Sequence, residues 1–343
     1  MNGLDGVVAA ETRLSMVDGQ RGELVIAGHR VEELASWRFE DVVDLLWGAP
    51  LARTFVAEPS PLSVEHKPTP LMDELRAGVA ALRAQDDAEA APLLMAACPV
   101  IVAGAWRKQQ GLTPLASRPE LGYAANYLWL LHGTEPEPER VRGLETYLNT
   151  VVDHGLNAST FTARVIASTG SDLISAISGA IGALKGPLHG GAPGPALDMV
   201  FAIGDASRAE EVLRRKIEAG QRLMGFGHRV YKVRDPRADV LAAAAHRLYT
   251  RGGDLALYEL ARAVEATALR LLEEYKPGRG LQTNVEFYTA LLLHGVGLPT
   301  ELFTPTFAIS RVAGWIAHCL EQRATGRLIR PQSTYVGAMP VGP

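Results

Sequence analysis

Apolar residues recur along most of this chain at the three- and four-residue spacing of an α-helix. The segments that follow this spacing include 71–85, 90–106, 117–132 and 138–153. A further helical face, ending before Pro277-Gly278, is formed by Leu257, Leu260, Ala261, Val264, Ala268, Leu271 and Leu272. The pattern therefore predicts a mostly helical protein.

The N-terminal region has a different pattern. The runs Glu11–Val17 and Glu23–Ala27 are short and apolar-rich, and the turn residues 18–22 separate them. They predict a small β-hairpin, the only strand pair expected. Helical spacing resumes at Val31, and Gly48 should end an apolar stripe over residues 39–47. The expected fold class is all-α with a small N-terminal β-hairpin.

Polar residues mark where several helices should start. Residues 57–70 are rich in proline, serine and charge and are expected to form a loop. Asn157 or Ser159 should cap one helix and Ser171 the next. Ser207 and Glu210 have the spacing of a capping box.

Composition excludes several classes of protein. The 343 residues are 47% hydrophobic and 21% charged, which is globular, and the length suits two domains. A net charge of −4 offers no general attraction for nucleic acid or an anionic membrane. Cys98 and Cys319 cannot form a disulfide framework, and no uncharged run of 18 apolar residues or leader-like start is present. We expect a cytoplasmic protein.

Candidate chemistry is concentrated in glycine-flanked stretches. His154 and His189 both fall at junctions between predicted helices. The stretch 225–237 places His228 and Arg237 beside two glycines, which leave room for a ligand to approach the backbone. Histidine is a donor near neutral pH, and the arginine fork suits a carboxylate. The stretch is therefore either an anion-binding site or a basic surface turn before a helix, and the residues of this stretch alone leave both open.

Together these stretches resemble the citrate synthase family. The matching segments are His154-Gly-Leu-Asn-Ala-Ser-Thr160, Gly186-Pro-Leu-His-Gly-Gly191, Gly225-Phe-Gly-His-Arg-Val-Tyr-Lys-Val-Arg-Asp-Pro-Arg237, Asn284-Val-Glu-Phe-Tyr288, Leu302-Phe-Thr-Pro305 with Arg311, and Leu328-Ile-Arg-Pro331. The opening residues 3–8 and the predicted hairpin resemble the bacterial branch. The resemblance covers essentially the whole chain and is strongest from residue 150 onwards.

The resemblance implies a helical homodimer. Residues 1–191 and 296–343 would form a large dimerisation domain, and 192–295 a small mobile domain that closes over the active-site cleft. The implied reaction condenses oxaloacetate with acetyl-CoA and hydrolyses the thioester to citrate and CoA. The CoA thioester is then a co-substrate, and no cofactor is expected to remain bound.

The resemblance also implies roles for single residues. Glu286 would be the base, His189 would stabilise the enol of the thioester, and His228 would polarise the ketone of oxaloacetate. The implied substrate-binding residues are His154, Arg237, Arg311 and Arg330, of which the last would reach into the site of the partner subunit. Lys232 and Arg234 either face the CoA phosphates or belong to a solvated basic turn.

The chain departs from the family pattern in places. Glu286 stands where the family usually has aspartate, and Pro193-Gly194 replace the usual Asn-Glu. The segment after Tyr335 is also short for an arm that embraces a partner subunit. A displacement of about 1 Å in a catalytic group can cost on the order of 100-fold in rate. Slow turnover is therefore one consequence that Glu286 could have.

Three alternatives stay open. A 2-methylcitrate synthase would perform the same chemistry on propionyl-CoA, and one methylene in an apolar pocket is worth only about 1–3 kcal/mol. A metalloenzyme would use His154, His189, His228 and Glu286 as ligands, although no metal is expected because the nearby arginines would repel a cation. The third is a low-activity paralogue that binds oxaloacetate or CoA as a sensor.

Overall fold

The computed structural model describes residues 6–49, 69–190, 194–252 and 254–339, and these form a mainly helical structure. The helices in the described residues are α1 (Val31–Leu34), α2 (Phe39–Trp47), α3 (Leu71–Ala81), α4 (Asp87–Gln109), α5 (Tyr123–His132), α6 (Pro138–Val151), α7 (Ala158–Ser168), α8 (Leu173–Leu184), α9 (Gly194–Ile203), α10 (Ala209–Glu218), α11 (Pro236–Gly252), α12 (Leu255–Tyr275), α13 (Val285–Val296) and α14 (Phe303–Thr325). Short 3₁₀ turns occupy Pro119–Leu121, Ala206–Arg208 and Thr300–Leu302. The predicted all-α class is confirmed.

The N-terminal sheet contains the predicted hairpin and one additional strand. Strand β1 (Ser15–Asp18) pairs antiparallel with β2 (Glu23–Ile26), with Ser15 opposite Ile26. The additional strand, β3 (His29–Arg30), pairs with β2 through a tight turn. Ala27 and Gly28 both have positive φ there, as a two-residue hairpin turn requires. Two residues are too few to give an alternating pattern, so the sequence did not reveal β3.

Three of the predicted helix starts can be compared with the structure. The Asn157 side chain accepts a hydrogen bond from the Thr160 backbone N–H and caps α7 as expected. The prediction that Ser171 caps the next helix is wrong, because the Asp172 carboxylate does so. The predicted capping box is also wrong, since Asp205 caps a 3₁₀ turn that precedes α10. In both corrections a nearby carboxylate is the stronger acceptor.

Helix α14 is central to the packing. It contacts α4, α6, α7 and α8, and most of its residues from Phe303 to Cys319 are buried, including Trp315. Helix α13 packs against α6 and α11. Helix α4 is long and apolar enough to cross a membrane by those measures alone, but it packs against α3, α5 and α14 and is mostly buried. The apolar faces predicted from the sequence thus form one shared core.

The turn of the N-terminal hairpin lies against the segment 230–234. The Lys232 backbone N–H donates to Gly19 O over 2.9 Å. A Cβ atom at Gly19 would lie 2.2 Å from Val230 O, and one at Gly22 would lie 2.8 Å from the Val233 side chain. Only glycine fits the closer of these contacts. The hairpin therefore supports the stretch that contains His228.

Some expectations are left as predictions. The predicted loop 57–70 lies outside the described residues except for Thr69 and Pro70, as do residues 3–5 of the opening segment. The proposed boundary between the domains falls at 191–192, which is likewise outside them. The division into a large and a small domain remains a prediction.

Replacing Gly19 tests the contact between the hairpin and the 230–234 segment. Gly19→Ala should lower the free energy of unfolding by about 1–3 kcal/mol, because the new methyl group overlaps a backbone carbonyl that cannot rotate away. Chemical denaturation at fixed protein concentration measures this. Gly252→Ala is the matched control, since its Cβ would meet no atom within 4 Å. Equal losses in both variants would contradict the contact.

Candidate active site

The stretch that contains His228 is fixed by hydrogen bonds to the segment before α13. Phe226 and Thr283 form an antiparallel bridge, and the Asn284 N–H donates to Gly225 O over 3.0 Å. Gly225 has φ +87°, and a Cβ there would lie 2.9 Å from Phe287. The close approach and the left-handed backbone both require glycine. His228 is thereby held at the start of α13.

The geometry of the His228 ring sets the position of its proton. Its Nδ1 accepts the backbone N–H groups of Val230 at 3.0 Å and Tyr231 at 3.1 Å. The proton of a neutral ring must then sit on Nε2. Burial and the nearby Arg237 lower the pKa of His228 to about 4. His228 is thus a neutral donor at Nε2.

His154 lies beside His228, just after the end of α6. The two ring centroids are 5.9 Å apart, and His154 Nε2 is 3.1 Å from the Tyr231 hydroxyl. Burial, together with Arg237 and Arg311, holds the pKa of His154 well below its usual value. This histidine is therefore also neutral at physiological pH.

A buried carboxylate holds the backbone around His154. Asp153 accepts the Ser15 hydroxyl at 2.5 Å and the Gly155 N–H at 3.1 Å. Its other oxygen lies 3.1 Å from His318 Nε2, and His318 Nδ1 accepts an N–H of Arg164. Although burial alone would raise the pKa of Asp153, His318 and the other donors hold it below its usual value. His318 therefore belongs to the network that supports His154.

Arg237 and Arg311 are the two buried cations of the site. Asp235, fully buried, pairs with Nε and Nη2 of Arg237 at 3.0 and 2.8 Å. The same carboxylate accepts the Val285 N–H at the start of α13, at 3.3 Å. The sequence did not single out Asp235, because an acid just before a helix is common for reasons of helix dipole alone.

Arg311 is not paired with a carboxylate in the part of the chain that the structure describes, although the charge of Asp153 acts on it and, against the larger effect of burial, favours a higher pKa. Its Nε donates to Val151 O over 2.7 Å and its Cζ lies 4.5 Å from the Phe307 ring centroid. Within the described residues its terminal nitrogens make no hydrogen bond and no ion pair. Burial lowers its pKa to about 10, so it remains charged. A buried guanidinium with free donors is suited to binding an anion.

Glu286 is the second residue of α13. The Asn284 side chain caps this helix by accepting the Glu286 N–H at 2.9 Å, and its amide donates to Gly227 O. The Glu286 side chain is half-buried. Burial raises its pKa although Arg237 and Arg222 act in the opposite direction. A carboxylate with a raised pKa is a better proton acceptor for a weak carbon acid.

His189 lies after α8, next to the start of α7. Its Nε2 accepts the Ser159 backbone N–H at 3.3 Å and lies 2.8 Å from the Ser159 hydroxyl, to which Trp315 donates. The ring proton is therefore on Nδ1. Burial and then Arg311 lower the pKa of His189 to about 4. His189 is the second neutral histidine with a defined donor atom.

The three remaining site predictions lie elsewhere. The Arg234 guanidinium is engaged by Asp239 and by the buried Glu265. The Lys232 ammonium is exposed and donates to Arg229 O. Arg330 is exposed on the C-terminal segment, beside a groove of about 470 Å³ that residues 7–11 help to line. The structure thus does not bring Arg330 to the site of its own chain.

The sequence missed several supporting residues. Glu265 accepts hydrogen bonds from Arg234, Thr283 and the Tyr288 hydroxyl, so it joins α12 to the His228 stretch and to α13. Asp153 and Asp235 act similarly around His154 and Arg237. The sequence signal that could have identified Glu265 is an acidic residue beside the apolar face of α12.

The arrangement can bind and polarise an anionic carbonyl compound. Two neutral histidines each present a defined N–H, two arginines are buried beside them, and one carboxylate is free of direct ion pairs. Among the described residues no group of three or more His, Cys, Asp and Glu is placed to hold a metal ion. These features fit acid–base chemistry on a carbon acid and a ketone.

Comparisons with known proteins identify the family of this chain. The family model described as "Citrate synthase, C-terminal domain" matches residues 3–332. A putative citrate synthase 2 of Mycobacterium tuberculosis is 40% identical, covering 99% of this chain and 94% of the relative. A 2-methylcitrate synthase of the same species is 38% identical, covering 98% and 90%. The chain belongs to the citrate synthase family.

A solved structure gives the same result for the fold. The citrate synthase of the thermophilic archaeon Thermoplasma acidophilum, solved as a ternary complex with carboxymethyl coenzyme A and oxaloacetate, superposes with a TM-score of 0.87. The two sequences are 28% identical, and the match covers 98% of this chain and 96% of that one. The predicted family and fold are both confirmed.

The low pKa values of the site histidines predict how stability changes with pH. An unfolded histidine takes up a proton near pH 6.5, whereas His189 and His228 do so at about 4. Between about pH 4 and pH 6.5 the unfolded state binds more protons than the folded state. The contribution of the two histidines to the free energy of unfolding is therefore complete above about pH 6.5 and is lost as the pH falls towards about 4. The loss is at most about 3 kcal/mol per histidine.

Urea unfolding at about pH 7.5, 6 and 5 measures this dependence. The free energy of unfolding should fall with pH, and His189→Asn should flatten the decline. His246→Asn, which replaces an exposed histidine on α11, is the control and should leave the slope unchanged. A free energy that stays constant over this range would show that the site histidines are not held neutral.

Proposed function

We propose that this protein condenses oxaloacetate with acetyl-CoA and hydrolyses the product thioester to citrate and free CoA. The observation that carries the proposal is the pair of buried arginines beside His228, whose Nε2–H is free to donate. A dicarboxylate with a ketone fits this arrangement, because each carboxylate has an arginine and the ketone has a donor.

The proposed reaction begins at the methyl group of the thioester. The Glu286 carboxylate takes a proton from this carbon, and the His189 Nδ1–H donates to the thioester oxygen as negative charge develops there. The carbon then attacks the ketone of oxaloacetate, and the new C–C bond leaves an alkoxide that His228 Nε2–H stabilises. The proton that Glu286 removed from the methyl group neutralises the alkoxide, so that both side chains return to their starting state. Water then attacks the thioester carbonyl, which releases CoA as a thiol and citrate as the acid.

Substrate binding divides between the two arginines and the exposed basic turn. Arg237 and Arg311 bind the carboxylates of oxaloacetate, and His154 contacts the same substrate. Lys232 binds the CoA phosphates; Arg234 does so only if it leaves Glu265 and Asp239, which hold its guanidinium. The CoA thioester is a co-substrate, and the reaction needs no permanently bound cofactor.

Three further features belong to the proposal. Residues 192–295 form a small domain that closes on the rest of the chain. The protein is a cytoplasmic homodimer in which Arg330 reaches the active site of the partner subunit. The support for that role is the resemblance of the segment Leu328-Ile-Arg-Pro331 to the family pattern, together with the exposure of Arg330.

A 2-methylcitrate synthase activity on propionyl-CoA is the second candidate, because a relative with that name is 38% identical over 98% of this chain. Release of free thiol by purified protein tests both functions. We expect oxaloacetate-dependent release with acetyl-CoA at a higher rate than with propionyl-CoA. A higher rate with propionyl-CoA would favour the second candidate. If the protein binds oxaloacetate but releases no free thiol from either thioester, a sensor with the fold of the family and no condensing activity would be favoured.

Glu286→Gln tests the role of the base. The amide cannot accept the proton, so thiol release should fall by about 100- to 10,000-fold, while oxaloacetate binding measured by calorimetry stays within about twofold. Glu259→Gln, on the exposed face of α12, is the matched control and should retain full activity. Near-normal turnover in Glu286→Gln would place the base elsewhere.

A further inference from the structure

Tyr231 lies at the centre of the site, and neither the resemblance nor the comparisons give it a role. It is 2% exposed, yet it is not part of the contiguous apolar core. Its neighbours are polar: the ring centroid is 4.9 Å from that of His228 and 5.7 Å from that of His154, and Arg237 Cζ lies 5.8 Å from it. Apolar packing therefore does not account for its burial.

The Tyr231 hydroxyl has one hydrogen-bond partner among the described residues, His154 Nε2 at 3.1 Å. Burial raises the pKa of the phenol, so the hydroxyl keeps its proton. His154 Nε2 is the one partner that this buried O–H has among the described residues, so the hydroxyl is satisfied only as a donor to that nitrogen. The consistent arrangement places the His154 proton on Nδ1 and makes the tyrosine the donor to Nε2.

The main chain connects Tyr231 to the second histidine and to the hairpin. The Tyr231 backbone N–H donates to His228 Nδ1 at 3.1 Å. The following residue, Lys232, donates its backbone N–H to Gly19 O. The tyrosine is thus fixed by the same contacts that hold His228 and cannot easily turn away from His154.

We propose that Tyr231 is a positioning residue of the oxaloacetate subsite, whose hydroxyl fixes the orientation and the tautomer of His154 while its ring packs against His228 and Arg237. This inference rests on the proposed function of the site. Loss of the hydroxyl leaves the ring in place but removes the one donor to His154 Nε2 found among the described residues, so the subsite loses part of its preorganisation. The thioester subsite, built around His189, is unaffected.

Tyr231→Phe separates the two contributions. We expect its oxaloacetate dissociation constant, measured by calorimetry without thioester, to rise about 5- to 20-fold. The thioester KM and kcat should stay within about twofold. Tyr275→Phe is the matched control, since that hydroxyl donates to Glu218 far from the site. Unchanged oxaloacetate binding in Tyr231→Phe, or a loss of kcat alone, would overturn the proposal.

Nitrogen NMR of ¹⁵N-histidine-labelled wild-type protein tests the hydrogen bond independently of turnover. The signals of His154, identified with His154→Gln, should show a proton on Nδ1 and a hydrogen-bonded acceptor at Nε2, and the acceptor signal should move in Tyr231→Phe. A proton on Nε2 in the wild type would overturn the proposal. If oxaloacetate does not bind the wild type, the proposed function fails, whereas the NMR result still decides the tyrosine–histidine contact.

Discussion

The carboxylate of Asp235 is the constraint on which the site depends. It is fully buried, pairs through both oxygens with Arg237, and accepts the backbone N–H of Val285. A buried ion pair of this kind is retained only when its geometry satisfies both charges, since removing one partner costs about 3–5 kcal/mol. Asp235 thereby joins the stretch that contains His228 to the helix that carries Glu286.

Two other buried acids do the same for their surroundings. Asp153 holds the backbone at Gly155 and connects it to Ser15 of the hairpin. Glu265 accepts donors from three separate parts of the chain, one of which is Arg234. Each of these acids accepts hydrogen bonds from donors within the fold. The terminal nitrogens of Arg311, in contrast, have no acceptor among the described residues. Under the proposed function, these unmatched donors would bind a carboxylate of the substrate.

Much of the fold could be predicted from the sequence because long helices with one apolar face repeat a strong signal. Helix α12 was predicted in this way, and the alternating pattern predicted the hairpin. The caps at Ser171 and Ser207 were predicted wrongly because the competing carboxylates of Asp172 and Asp205 lie only one and two residues away. Strand β3 was missed because it is two residues long.

The site was predicted in a different way. The resemblance identified the histidines and arginines, but their protonation states depend on burial in the fold. Burial lowers the pKa values of His189 and His228 enough to keep both neutral, whereas the lowered pKa of Arg311 still leaves it charged. The positions of their protons follow from backbone N–H groups at Val230, Tyr231 and Ser159, which no side-chain pattern reveals. Tyr231 was missed for the same reason, since its partners come together only in the fold.

Calorimetric titration of oxaloacetate and of pyruvate, without any thioester, tests the central claim most directly. The two ketones differ by one carboxylate, so the comparison isolates the second arginine. If Arg237 and Arg311 each bind one carboxylate, oxaloacetate should bind and pyruvate should bind at least about 100-fold more weakly. Equal affinity for the two, or no binding of oxaloacetate by the folded protein, would contradict the account.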